Sequence, residues 1–222
     1  MHRTIQNNFE FEGIVMQCSK CPNTACANND LSKAPKGCPS VDFEEVFQEA
    51  RKEYEKPEIR KISQTAAHVE VTGYMKWPRV QELIVFSKKM GYKKLGIAFC
   101  IGLKEEAKIL TKILEKNDFE VFNGICTQGC LQKKELDIPD DDTFTGAEEV
   151  GCNPIGQAYY LNSQNTDLNI VVGLCIGHDI NFIKHSKPPT TVLVVKDRVT
   201  THNPCAVLYS RYYKNKYFKI DF

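Results

Sequence analysis

The chain has 222 residues, and its 29 basic residues against 28 acidic ones give a formal net charge of +1. This length allows one α/β domain with a buried core and a small additional segment. Because the charge is balanced and no basic block occurs, a nucleic-acid partner is not expected.

The first residues contain no apolar stretch of the kind found in secretory signals, and no run of about 18 apolar residues occurs anywhere. We therefore expect a soluble, cytoplasmic protein without membrane attachment. Ten cysteines are many for such a protein. Because the cytoplasm is reducing and disfavours disulfides, the cysteines are expected to be metal ligands or redox groups.

Residues 1–40 form a cysteine-rich segment with little periodic apolar pattern. So short a segment cannot bury a self-sufficient core, and we expect a bound metal to order it. A set of four thiolates can bind one zinc ion or a four-iron cluster. Three closely spaced cysteines and a distant one followed by proline favour the cluster, and zinc at this site is the alternative. The four cysteines are Cys18, Cys21, Cys26 and Cys38.

Residues 41–222 predict an α/β domain, which begins with a helical part over residues 41–91. The first helix is expected to open at a capping box of Asp42 and Glu45, the second follows Pro57, and the third opens at Pro78.

From residue 94 to residue 222 the pattern changes to alternating strands and helices, a βαβ arrangement. It predicts an open, mostly parallel sheet of the Rossmann or flavodoxin-like type with helices on both faces. Residues 127–150 lack periodicity and predict a long loop. The predicted strands cover residues 95–100, 119–126, 168–174 and 191–195.

Four further cysteines lie where a predicted strand ends or a helix begins. In an open parallel sheet these positions share one edge, so the sulfur atoms can meet in one crevice. Converging thiolates favour a soft metal, and an iron–sulfur cluster is the expected occupant. Each cysteine alone could be a small buried hydrophobic residue, but together their placement favours ligands. They are Cys100, Cys126, Cys152 and Cys175, while Cys130 and Cys205 are left without a definite role.

Two histidines follow the same strand ends and are the candidate catalytic residues, His178 and His202. Either could act as an acid or donate a hydrogen bond to a cluster sulfur; a local hydrogen bond near a helix start is the alternative for His178. Lys196, Asp197 and Arg198 leave the last strand toward this edge. They could bind an anionic substrate there, although a solvated turn is the interpretation that the sequence favours.

Several of these segments, taken together, resemble a family of uncharacterised conserved metal-binding proteins from anaerobic bacteria and archaea. The segments are the N-terminal C-x2-C-x4-C, GCNPIGQA, GLCIGHD, VLVVKDR and HNP. The resemblance covers nearly the whole chain. It implies that the N-terminal four cysteines and the four at strand ends are ligands, and it does not distinguish iron from zinc.

The leading hypothesis is an iron–sulfur redox protein in which the N-terminal cluster passes electrons to a second cluster at the sheet edge, for electron transfer or for reductive catalysis on an unknown substrate. No dinucleotide or phosphate-loop motif occurs, so a protein electron donor or acceptor, or a small-molecule substrate, is the expected partner. A homodimer is compatible with the sequence. The alternative is a zinc-binding regulatory or metal-storage module without catalysis. Thiol chemistry at Cys152 or Cys175 is a third, weaker hypothesis.

Overall fold

The computed structural model describes residues 15–146 and 148–220. The chain divides into two compact units, Met1–Gln64 and Thr65–Phe222, and each is described by itself. The predicted boundary after residue 40 stays a prediction.

Over its described residues, 15–64, the first unit contains short helical elements and very little core. After 3₁₀ turns at Cys18–Lys20 and Leu31–Lys33, it continues with helices α1 (Pro39–Asp42) and α2 (Glu44–Glu53). Between residues 15 and 64 the buried residues are Ala25, Gly37 and Cys38 alone.

The predicted capping box at Asp42 is wrong. Asp42 is the last residue of α1, and α2 begins at Glu44 after Phe43, whose φ of −122° and ψ of 38° break the helix. Pro39 explains why the first helix starts earlier than predicted. It begins α1 directly after Cys38, because the fixed φ of proline suits the first turn of a helix.

The second unit carries the remaining elements in alternating order. Within the described part of the chain, none of the helices has the length and apolar character that crossing a bilayer requires. After α3 (Pro57–Gly73), which includes residues of both units, the elements are α4 (Arg79–Met90), β1 (Lys94–Phe99), α5 (Lys104–Glu115), β2 (Glu120–Ile125), α6 (Pro154–Ser163), β3 (Leu168–Val172), α7 (His178–His185), β4 (Thr190–Val194) and α8 (Cys205–Tyr209).

The four strands form one open, parallel sheet in the order β2-β1-β3-β4. All five residues of β3 are buried, which is typical of a parallel strand covered on both faces. The predicted open α/β sheet with helices around it is thereby confirmed.

Alternating side chains of the central strands form two apolar layers, one on each face of the sheet. On one face Leu95, Ile97 and Phe99 of β1 pack with residues of α4 and α5. On the other face Ala98 and Val171 pack with residues of α6 and α7. The helical partners are Leu83, Ile84, Leu110 and Leu114 on the first face and Ala158, Leu161 and Phe182 on the second.

The strand order reverses between β1 and β3, and this reversal positions the site described below. The chain leaves β1 through α5 toward β2 on one side, and it leaves β3 through α7 toward β4 on the other. Because the two connections diverge to opposite faces, a crevice opens outside the carboxyl ends of β1 and β3.

Candidate functional site

The four strand-end cysteines come together at this crevice from four separate segments. Cys100 directly follows β1, Cys126 directly follows β2, Cys152 lies shortly before α6, and Cys175 follows β3. The thiols of Cys100 and Cys126 are hydrogen-bonded to each other, and so are those of Cys126 and Cys152. Cys175 interacts electrostatically with Cys152. The four sulfur atoms therefore lie in one group, in which hydrogen bonds link Cys100, Cys126 and Cys152.

The group has a buried end and an open end. The residues Cys100 and Cys126 are 7% and 3% exposed, whereas Cys152 and Cys175 are half-buried. A ligand or partner from solution therefore approaches the group from the side of Cys152 and Cys175.

Backbone groups at the end of β1 hold the two buried thiols. A 3₁₀ turn, Ile101–Leu103, starts directly after Cys100 and leaves its first N–H groups without partners in the turn. The N–H of Ile101 donates to the Sγ of Cys126 at 3.2 Å, and the backbone of Gly102 hydrogen-bonds the Cys100 thiol. Such N–H donors stabilise negative charge on sulfur.

The start of α6 fixes Cys152 beside Cys126. The Oδ1 of Asn153 caps the helix by accepting from the Gly156 N–H at 2.8 Å, and its Nδ2 donates to the carbonyl of Gln128 at 3.1 Å. The backbone N–H of Asn153 also donates to the Cys126 carbonyl at 2.6 Å. These bonds tie the residue after Cys152 to the loop that follows β2.

Gln157, in the first turns of α6, is a fully buried residue that no motif in the sequence indicates. Its Nε2 donates to the carbonyl of Phe99 at 3.1 Å and to that of Gly124 at 2.6 Å. Gln157 thus joins the ends of β1 and β2 one or two residues before Cys100 and Cys126. No periodic pattern distinguishes such a polar residue from an exposed one, so only the tertiary structure identifies it.

The hydrogen-bonded thiols differ in acidity. The hydrogen bond with Cys126, followed by burial, raises the pKa of Cys100 to about 12. At Cys126 the bond with Cys100 lowers the pKa, but the bond with Cys152 and burial outweigh it, so the net pKa is raised. At Cys152 the hydrogen bond from Cys126 lowers the pKa. Cys152 is therefore the most readily ionised of these three thiols.

Two cationic side chains from the segment after β4 lie near the four crevice thiols. The Nη2 of Arg198 donates to the Sγ of Cys175 at 3.0 Å, and this bond raises the pKa of Arg198. Lys196 acts electrostatically on Cys100, where its positive charge opposes the other influences by lowering the pKa of the thiol. The sequence favoured a solvated turn for this segment, whereas the structure brings both cations to the cysteines.

A third cation, Lys133, was not singled out by the sequence. Its charge lowers the pKa of Cys152, and its Nζ pairs with the Oε1 of Glu149 at 2.7 Å. Lys133 also donates to the carbonyl of Asp142 at 2.9 Å. The ion pair of Lys133 and Glu149 thus joins two parts of the loop after β2, and the same lysine lowers the pKa of Cys152.

The two candidate catalytic histidines lie after the strand ends, as their positions in the sequence predict. His178 begins α7, and its backbone N–H donates to the carbonyl of Cys175 at 2.9 Å. The Nδ1 of His202 accepts a hydrogen bond from the backbone N–H of Asp197 at 3.1 Å, so the proton of its neutral ring is on Nε2. Their catalytic role stays a prediction.

The remaining cysteines differ in exposure. In the first unit Cys38 is buried, Cys21 is half-buried, and Cys18 and Cys26 are exposed. The Sγ of Cys21 donates to the Oδ1 of Asn23 at 3.8 Å. In the second unit Cys130 and Cys205 are exposed.

Among residues 15–146 and 148–220, no group of three or more His, Cys, Asp or Glu side chains is placed to hold a metal ion. This holds for the four cysteines of the first unit and for the four thiols of the crevice. Hydrogen bonds join three of the crevice thiols in a row, from Cys100 to Cys126 and from Cys126 to Cys152. Metal binding at either set therefore stays a prediction.

The fold and the site define an α/β protein with a cysteine-lined crevice at the reversal point of a parallel sheet. A family model described as "Protein of unknown function (DUF1847)" matches residues 38–193. The chain belongs to this family. The matched range contains all four crevice cysteines, whereas Lys196 and Arg198 lie beyond its end.

One relative is the uncharacterized protein MJ0455 of the archaeon Methanocaldococcus jannaschii. It is 48% identical over 201 residues, which cover 90% of this chain and 97% of the relative. No solved structure matches the chain. The expected membership in a family of uncharacterised proteins with an archaeal relative is confirmed, and metal binding by the family stays a prediction.

Proposed function

We propose that the protein is an iron–sulfur redox protein whose crevice holds a four-iron cluster through Cys100, Cys126, Cys152 and Cys175. One observation carries the proposal. Thiols from four separate segments meet at one edge of the sheet, and two of them, Cys100 and Cys126, are buried. Unligated cysteines acting as small hydrophobic residues have no reason to collect in this way.

Four thiolates are the donor set of a four-iron cluster as well as of a zinc site. In a zinc site all four ligands converge on one atom, whereas a four-iron cluster offers a separate iron to each cysteine. The N–H donors of Ile101 and Gly102 and the charges of Arg198 and Lys196 would further stabilise cysteine thiolates.

When bound, a cluster would supply one-electron transfer. The residues of this chain would hold it, exclude water at Cys100 and Cys126, and leave the side of Cys152 and Cys175 accessible. We propose a protein electron donor or acceptor, a small-molecule substrate, and proton transfer by His178 and His202.

We also propose a metal centre at Cys18, Cys21, Cys26 and Cys38, either a second four-iron cluster or zinc. The support is energetic. With Ala25, Gly37 and Cys38 as the buried residues between positions 15 and 64, apolar burial within this described range is too small to stabilise it. Structural metals contribute roughly 10–16 kcal/mol in small cysteine-rich peptides, which is enough to order such a segment.

The test is metal analysis of protein purified and reconstituted under anaerobic conditions, with electron paramagnetic resonance after reduction. Cys175→Ala should remove the iron of the crevice cluster and leave the N-terminal centre intact, because the cluster loses one of its four ligands. The loss is about half of the iron if the N-terminal centre is a second four-iron cluster, and all of the iron if that centre holds zinc. Cys205→Ala, at an exposed cysteine of the same unit, is the matched control and should keep the full iron content.

Unchanged iron content in Cys175→Ala would contradict the crevice cluster. Colourless protein with stoichiometric zinc would instead support the zinc-binding regulatory or storage module. Metal-free folded protein with one rapidly alkylated cysteine would support thiol chemistry.

A further inference from the structure

We propose that the crevice binds small anionic molecules, carboxylates or oxyanions, through a cationic rim formed by Lys196 and Arg198. The proposal names the substrate class of the redox site proposed above and in that sense rests on it. Its evidence is the placement of the two cations relative to the open end of the thiol group. Its test needs no bound cluster.

Arg198 lies at the open end of the crevice. It is exposed, and its Nη2 donates to the Sγ of the half-buried Cys175 at 3.0 Å. Its charge also interacts electrostatically with Cys152 and Cys100. A guanidinium has five N–H donors in a planar fork, and the bond to Cys175 uses one of them. The other donors can bind a planar anion.

Lys196 lies over the backbone at the reversal point of the sheet. A Cβ atom built on Gly102 would be 3.2 Å from its Nζ, and one built on Gly173 would be 3.7 Å from its Cδ. Gly102 directly follows the first residue of the turn after β1, and Gly173 directly follows β3. The absence of side chains at these glycines therefore lets the Lys196 side chain lie close to the ends of both central strands, with its ammonium beside the end of β1.

No carboxylate neutralises this rim within the part of the chain that the structure describes. Neither Lys196 nor Arg198 takes part in an ion pair among those residues. The Oδ1 of Asp197, between them, accepts from the N–H groups of Val199 and Thr200 at 2.8 and 2.9 Å. That carboxylate is engaged by its own turn, so the two cations present net positive charge to the crevice.

The test compares an anionic and a neutral alkylating reagent on the same sulfur. Reduced, metal-free protein is treated with a mixture of iodoacetate and iodoacetamide, and both adducts at each cysteine are quantified by mass spectrometry of peptides. In each reaction the thiolate sulfur displaces iodide. The ratio of the two adducts therefore cancels the fraction of thiolate and reports the local selectivity for an anion.

We expect a higher iodoacetate-to-iodoacetamide ratio at Cys175 than at the exposed Cys130 and Cys205 of the same molecule. Arg198→Gln and Lys196→Gln should each lower the ratio at Cys175 by roughly fivefold, the factor for one charge pair a few ångström apart in water. Arg198→Lys, which keeps the positive charge, should retain most of the elevated iodoacetate-to-iodoacetamide ratio at Cys175. Salt at about 1 M should reduce the wild-type ratio toward that of the exposed cysteines.

Equal ratios at Cys175 and at the two exposed cysteines would overturn the proposal, and so would a ratio unaffected by both glutamine substitutions. The salt series on the wild-type protein tests the rim even if a variant fails to fold, since a salt-independent ratio also contradicts it. A protein that binds no iron but shows this selectivity would refute the redox function and leave the anion site standing. Full iron content together with equal alkylation ratios would support the redox function and refute the anion site.

Discussion

The backbone N–H of Ile101 donates a hydrogen bond to the Sγ of Cys126 at 3.2 Å, which joins the end of β1 to the thiol at the end of β2. The side chain of Ile101 is 55% exposed, so the contribution of this residue to the site comes from its backbone. Hydrogen bonds to the sulfur ligands are one of the factors that set the potential of an iron–sulfur centre.

Replacing Ile101 with proline should remove this N–H with little other disturbance. Ile101 is the first residue of a 3₁₀ turn, and Cys100 has φ −75° and ψ 141°, the backbone region preferred before proline. In reconstituted protein, Ile101→Pro should lower the reduction potential, because the hydrogen bond stabilises the more negative reduced state. Ile101→Ala keeps the N–H and is the control; the same potential in both variants would contradict the role of this bond.

The sequence predicted the sheet because the strand segments are short, apolar and separated by helical periodicity. The rule that strand ends and helix starts share one edge was enough to bring together Cys100, Cys126, Cys152 and Cys175, and in the structure hydrogen bonds link the thiols of the first three. Cysteines can be placed in this way because their position along a strand determines the edge at which they lie.

The surroundings of the thiols could not be predicted, because they depend on how nonperiodic segments fold. Lys133 acts on Cys152 only because the loop after β2 folds back on itself, with Gln132 bridged to Val150. Gln157 reaches the strand ends only because α6 crosses them at that register. In the same way, nothing in the pattern around Arg198 distinguishes a solvated turn from a contact with Cys175.

Gln157 provides a test of how the strand ends are held together. Gln157→Leu should lower the free energy of unfolding by about 1–3 kcal/mol, since the buried carbonyl groups of Phe99 and Gly124 lose a donor. Gln164→Leu is the matched control at the end of the same helix, where the side chain bonds the Ser163 hydroxyl, and should cost less than about 0.5 kcal/mol. Urea unfolding of the metal-free protein measures both, and equal stabilities would rule out a structural role for the Gln157 bonds.

Gly173 and Gly177, each two residues from Cys175, both have a left-handed backbone, but only Gly173 also lacks space for a side chain. Gly173 and Gly177 have positive φ angles of 66° and 86°, so alanine at either position should cost about 1–2 kcal/mol of backbone strain. A Cβ at Gly173 would in addition clash with the Cδ1 of Leu103, whereas a Cβ at Gly177 meets nothing within 4 Å. Gly173→Ala should therefore be less stable than Gly177→Ala by about a further 1–3 kcal/mol in thermal unfolding. Equal melting temperatures would contradict this close approach.

The ion pair of Lys133 and Glu149 makes the loop after β2 sensitive to acid. The hydrogen bond with Lys133 is the largest cause that lowers the pKa of Glu149 to about 2, and the N–H groups of Phe144 and Thr145 also donate to this carboxylate. A carboxyl group whose pKa is lower in the folded loop than in the open loop stabilises the folded form above its ordinary pKa of about 4.3. This stabilisation is lost as the pH falls from about 4 to about 2.

Hydrogen exchange at the amides of Phe144 and Thr145 should therefore lose protection between about pH 4 and pH 2, after correction for intrinsic exchange rates. Glu149→Gln should already have less of this protection at pH 5, because its side chain cannot pair with Lys133 as an ion and has one acceptor oxygen where the carboxylate uses two. Glu148→Gln is the control, since the Glu148 side chain is 90% exposed and lies 3.8 Å from Lys134. Protection that is independent of pH in the wild-type protein would show that another interaction holds the loop closed.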